Sequence, residues 1–147
     1  MFAPKKILVP TDFTNDSDRA LREALDIAKA FNSKVFLIHI DHRIQEAAAD
    51  FVLSAELVEG VEKADAKLAS EDMRTEIQKI AKEAAVDIEI AEKHGQTHEE
   101  ILSYGKEQGI DLIVIEPHAR RGLLKTLMGG VADKVTHHAL CSVLVLH

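Results

Sequence analysis

Apolar residues fall in short blocks along the chain, and the blocks alternate between two kinds of spacing. Ile7 to Val9 is a continuous apolar run, and Val35 to Ile40 is one but for His39, the pattern of strands buried on both faces. Leu112 to Ile115 and Ser142 to Leu146 read the same way. Val86, Ile88 and Ile90 alternate with Asp87, Glu89 and Ala91, which predicts a third strand, less buried than the others. Between these runs the period changes to that of a helix. Leu21, Ala24, Leu25, Ala28 and Phe31 mark the inner face of a first helix that starts near Thr14 to Ser17 and ends at Asn32 and Ser33. Ala64, Leu68, Met73, Ile77, Ile80 and Ala84 mark a long helix from Glu62 to Ala85, with one phase slip near Ser70.

Local signals close the remaining gaps. Pro10 has no N–H to give and is expected to end the first strand. His94, Gly95 and Gln96 form a turn, and Thr97 with Glu100 reads as a capping box opening a further helix that Gly109 ends. Gly129 and Gly130 precede a last helix from about Val131 to Leu140. Residues 41–60 hold three consecutive alanines and then Phe51, Val52 and Leu53; they read as part helix, part connection. The element order βαβαβαβαβ with short loops predicts one α/β domain over residues 1–147. Its architecture is a three-layer, open, parallel five-stranded sheet with helices on both faces.

Ligands in such sheets bind beyond the carboxyl ends of the strands, where the strand order reverses. Pro10, Thr11 and Asp12, then Ile40 and Asp41, then Glu116 to Arg121 arrive at that edge. A strand feeding a glycine-bearing turn that opens a helix can hold a phosphate, through unpaired N–H groups and the positive end of the helix dipole. Gly129, Gly130 and Val131 supply that arrangement. Asp12 can instead cap the first helix. His118 lies in the same loop, with no nucleophile or partner acid fixed beside it by spacing.

Composition narrows the function. Apolar residues make up 46% of the 147, enough for a substantial core, and the net charge of −7 disfavours nucleic acid as a partner. A lone cysteine, Cys141, fits a reducing compartment and reads as a small buried residue. Met1 to Lys6 runs directly into a strand with no leader pattern, and no apolar run approaches the ~20 residues of a membrane helix. A cytoplasmic protein with no membrane partner is expected. The eight histidines lack the i, i+4 spacing with a third ligand that zinc asks for, so no metal is expected.

The runs ILVPTDFTNDSDRAL, VFLIHI and LIVIEPHARRGLLKTLMGGVADKVTHHALCSVLVL, in this order and spacing, resemble the universal stress protein family over nearly the whole chain. The resemblance implies a Rossmann-like fold of the adenine-nucleotide-binding type. It also implies a homodimer through the last strand, Ser142 to Leu146, and a stress-response or regulatory role. A further protein partner is open.

Many members of that family bind ATP through a glycine motif: Gly, two residues, Gly, nine residues, then Gly followed by Ser or Thr. Here Glu116 and Ala119 stand at the first two glycines, Gly129 is kept, and Gly130 stands at the Ser/Thr position. Glu116 brings a carboxylate near where phosphates would lie, a like-charge cost on the order of ~1 kcal/mol. Ala119 disfavours a positive φ. Gly130 forgoes a hydroxyl hydrogen bond of roughly 0.5–1.5 kcal/mol.

Arg120 and Arg121 could offset this by pairing with Glu116 or with phosphate. Asp12 and Ile40 match the positions that hold the adenosine half. The resemblance thus implies ATP or another adenine nucleotide, bound weakly or not at all. The alternative within the same fold is an ATP-binding or ATP-hydrolysing switch. A pyrophosphatase loop, a synthetase His-x-Gly-His and a phosphoacceptor's acidic pair and terminal lysine are not found.

Overall fold

The computed structural model describes residues 1–42, 54–82, 84–117 and 130–147. Five strands, β1 (Lys6–Thr11), β2 (Lys34–Asp41), β3 (Ile88–His94), β4 (Leu112–Ile115) and β5 (Ser142–Val145), form one parallel sheet in the order β3-β2-β1-β4-β5. The described helices are α1 (Asn15–Phe31), α2 (Ala55–Ile80), α3 (Thr97–Gln108) and α4 (Val131–His138).

The two faces of the sheet carry separate cores. Ile7, Val9, Val35, Leu37, Leu112 and Val114 turn to α1 and α2, where Leu21, Ala24, Leu25, Ala28 and Met73 cover them. Leu8, Phe36, Ile38, Ile40, Ile113 and Ile115 turn the other way, to Ile101 and Tyr104 of α3 and Ala132 and Val135 of α4. Strands sandwiched between two helical layers must be apolar on both sides, which is why the central runs lack alternation.

Several boundaries differ from those the pattern predicts. Pro10 does not end β1; it pairs with Ile38 inside the strand. The Asp111 amide donates to the Lys6 carbonyl, so even-numbered residues of β1 direct their backbone toward β4. The β1–β4 ladder reaches only Leu8↔Ile113, and the missing donor of Pro10 falls past its end. β3 runs on through Lys93 and His94, whose partners are Ile40 and Asp41. Residues 97 and 100 do not form a capping box. Gln96 is the cap of α3 with no side-chain bond, and Thr97 is already helical. Gly109 ends α3 in the left-handed region, φ 64°, where glycine has no steric penalty.

The long helix starts earlier and ends earlier than its periodicity suggests. Ser54 caps α2 by accepting from the Leu57 amide at 3.3 Å, and the helix stops at Ile80. Its buried face is Ala69, Met73 and Glu76; Leu68 is 59% exposed, as are Leu57 and Val61 in large part. An apolar stripe that meets no partner carries the same period as one that does. No described helix is long and apolar enough to cross a membrane.

Candidate functional site

The strand order reverses between β1 and β4, and the candidate residues converge at the carboxyl ends of those two strands. Asp12 and Glu116 follow the last residues of β1 and β4. Gly130 caps α4, and Val131 is its first residue. Ile40 is 7% exposed. The Lys34 amide donates to Lys5, so even-numbered residues of β2 direct their backbone toward β1. The β1–β2 register ends at Thr11↔His39. Ile40 therefore carries its peptide just beyond that ladder, at the open edge. His118, Ala119, Arg120 and Gly129 lie outside the described residues, as does Arg121.

The turn after β1 is tightly specified. Asp12 Oδ1 accepts from the Thr14 amide at 3.2 Å and from Thr14 Oγ1 at 2.6 Å, so the aspartate shapes the entry to α1. Phe13 takes φ 63°, a conformation a bulky residue seldom adopts, and its amide donates to Thr11 Oγ1 at 3.1 Å. Its ring lies 4.7 Å, centroid to centroid, from that of His39, whose Nδ1 is 3.0 Å from the Thr11 carbonyl oxygen.

Glu116 is held by a partner the sequence does not single out. Arg19 of α1 donates from Nη1 to Glu116 Oε1 at 2.7 Å and from Nη2 to the His147 carbonyl at 3.1 Å. The Glu116 side chain is only 9% exposed, and its Oε2 has no hydrogen-bond partner among the described residues. Among the described residues this nearly buried carboxylate at the strand end has the Arg19 guanidinium as its counter-charge.

A second carboxylate lies on the same side of the sheet. Glu76 of α2 is buried, and its Oε2 accepts from Thr11 Oγ1 at 2.8 Å while Oε1 has no partner among the described residues. Burial pushes its carboxyl up to about 7; the Thr11 hydroxyl pulls down, Asp18 and Asp12 push up, and Lys79 pulls down. Lys79 and Asp18 join α2 to α1 at 2.8 Å nearby. The amphipathic pattern of α2 carries no sign of this residue, because a glutamate on a helix reads as solvent-facing.

At Gly130 the backbone is ordinary, φ −67°, and an added Cβ meets nothing within 4 Å among the described residues. Its carbonyl accepts the first bond of α4, from Lys134 at 3.1 Å. Cys141, at the opposite end of β5, has its thiol pushed up by burial and by Asp111. Among the described residues no group of three or more His, Cys, Asp or Glu is placed to hold a metal ion.

Known proteins share this fold. Universal stress protein MJ0531 of Methanocaldococcus jannaschii is 31% identical over 142 residues, 97% of this chain and 81% of that protein. Universal stress protein A homolog 2 of Coxiella burnetii is 30% identical over 148 residues, 97% and 94% of the two chains. Among solved structures, the universal stress protein UspA of Lactobacillus plantarum superposes with a TM-score of 0.76 at 23% identity, covering 97% of each chain. A universal stress protein in complex with cAMP superposes with a TM-score of 0.72 at 22% identity, covering 99% and 98%. The profile of the universal stress protein family matches residues 4–147. The chain is a member of the universal stress protein family.

Proposed function

We propose that this protein is a stress-response or regulatory module whose carboxyl-edge cleft takes an adenine nucleotide by its nucleoside end and holds a triphosphate poorly. The observation that carries this reading is the Glu116 carboxylate, nearly buried at the end of β4 beside the switch point and balanced by Arg19. A ligand phosphate near it meets a like charge, and any phosphate contact by Arg19 competes with Glu116. The nucleoside end keeps what it needs: Asp12 on a fixed turn, the backbone of Ile40 at the open edge, and the exposed Phe13 ring. A solved relative at 22% identity holds cAMP, a nucleotide with a single phosphate, which supports the reading.

The start of α4 at Val131, with Gly130 as its cap and no side-chain cap bond, favours a second reading, an ATP-binding or ATP-hydrolysing switch, because helix-start amides suit a phosphate. The two readings part on what the protein carries when purified. Absorbance and chromatography of the denatured protein are expected to find no stoichiometric ATP, whereas added AMP or cAMP shifts the amide signals of Asp12 and Phe13. Stoichiometric ATP carried through purification would favour the switch.

The protein is further proposed to pair as a homodimer along β5. The Ser142 and Leu146 amides donate to β4, at 3.3 and 3.0 Å, so Val143 and Val145 direct theirs to the outer edge. Among the described residues no strand pairs there, and a half-exposed apolar edge strand is a template for a second copy. A cytoplasmic location fits this chemistry.

A further inference from the structure

We propose that Glu76 is a positioning residue for the β1–α1 turn, and that gain or loss of its proton tightens or loosens the turn that carries Asp12. The inference rests on the nucleotide-cleft reading for its effect on ligand, but not for its effect on the turn.

The geometry is a chain of hydroxyls ending on a buried carboxyl. Thr11 Oγ1 is 2.8 Å from Glu76 Oε2 and 3.0 Å from Ser17 Oγ, and it accepts from the Phe13 amide at 3.1 Å. Ser17 Oγ donates to the Thr14 carbonyl at 2.9 Å. With Glu76 protonated, every member has a partner. The carboxyl O–H donates to Thr11, the Thr11 hydroxyl donates to Ser17, Ser17 donates to Thr14, and Thr11 still accepts from Phe13. With Glu76 ionised, Thr11 must turn its proton toward the carboxylate, and the bond to Ser17 loses its donor. The charge on Oε1 then has no hydrogen-bond donor.

The surroundings sharpen the difference. Asp12 of the turn and Asp18 of α1 disfavour the ionised form, and Lys79 of α2, committed to Asp18 at 2.8 Å, offsets them in part. From the sheet, His39 of β2 holds the Thr11 carbonyl, Glu92 of β3 stands in register with His39, and Glu116, just after β4, is paired with Arg19. An ionised Glu76 is therefore a poorly solvated anion among carboxylates, and the Thr11 hydroxyl, which favours its charged form, is drawn to it and away from Ser17. Loss of the Thr11–Ser17 bond loosens the turn in which Phe13, at φ 63°, is held by its amide bond to Thr11.

The test follows the backbone amides of Phe13, Thr14 and Ser17 by NMR in the ligand-free protein, from about pH 5.5 to about pH 8.5. Wild type is expected to show one shared transition near 7, and Glu76→Gln to lack it. His39→Asn, which removes the other titratable group bonded to Thr11, is expected to keep it. Thr11→Val keeps the volume and is expected to shrink the transition at Phe13. A flat titration in wild type, or a transition that survives in Glu76→Gln, would overturn the proposal.

AMP titrations at about pH 6 and about pH 8 form the second arm, with roughly three- to tenfold tighter binding expected at the lower pH and a ratio near one in Glu76→Gln. A pH-independent affinity beside a clear amide transition would overturn the coupling to ligand. No AMP binding at either pH would contradict the nucleotide cleft, while the amide arm still decides the role of Glu76.

Discussion

Arg19 and Glu116 meet across the carboxyl edge of the sheet, Nη1 to Oε1 2.7 Å, joining the first turns of α1 to the end of β4. The pair closes the switch point between β1 and β4 with a carboxylate that is nearly buried and a guanidinium that is half exposed. Removing one partner is not symmetrical with removing the other. Arg19→Ala leaves a buried charge and is expected to cost about 1–2 kcal/mol, discounted for the exposure of Arg19, in chemical denaturation. Glu116→Gly removes the like charge facing a phosphate and is expected to tighten ATP by close to fivefold, or about 1 kcal/mol, in calorimetric titration.

Asp12 has a structural task that can be separated from a ligand contact. Its Oδ1 takes both donors of Thr14. Asp12→Asn keeps an acceptor and is expected to leave the melting temperature nearly unchanged. Asp12→Ala is expected to lose about 1 kcal/mol of stability. Both are expected to weaken AMP and ATP alike, because the residue acts on the nucleoside end that the two share.

The stability of the fold carries the signature of Glu76. Its folded carboxyl is raised from 4.5 to about 7, so the folded state keeps a proton that the unfolded chain gives up. The contribution is therefore fully present below 4.5, falls as pH rises toward 7, and is lost above it. Glu76→Gln escapes the penalty. Denaturant unfolding is expected to find the variant more stable than wild type at about pH 8, by up to ~3 kcal/mol, with the gap closing toward about pH 5.

The outer edge of β5 can be blocked without touching the inner one. Val145 directs its N–H away from β4, so Val145→Pro removes no bond of the sheet while denying one to a partner strand. Light scattering is expected to report a dimer for wild type and a folded monomer for the variant.

Much of this architecture is legible in the chain itself. Leu112 to Ile115 is bounded in the structure as its composition dictates, because a run buried on both faces has no competing pattern. Asn32 and Gly109 end their helices as their tolerance of left-handed backbone predicts. What escaped depends on tertiary neighbours. Pro10 stays in β1 because it pairs with Ile38 of β2 and the β1–β4 ladder ends at Leu8↔Ile113, a fact of registry that no local signal encodes. Leu68 looks like core and is exposed, while Glu76 looks like surface and is buried, because helical period fixes a stripe but not what covers it. At the edge, Asp12, Ile40, Glu116 and Gly130 could be named from their places at strand and helix ends. Arg19, the partner of Glu116, sits 97 residues away and had no motif to mark it.

The central claim is a cleft that values the nucleoside over the triphosphate, and parallel calorimetric titrations of the purified wild-type protein with AMP and with ATP plus magnesium measure it most directly. The two ligands are expected to bind within about fivefold of each other, both at micromolar dissociation constants or weaker. ATP binding below micromolar, and more than about a hundredfold tighter than AMP, would contradict it.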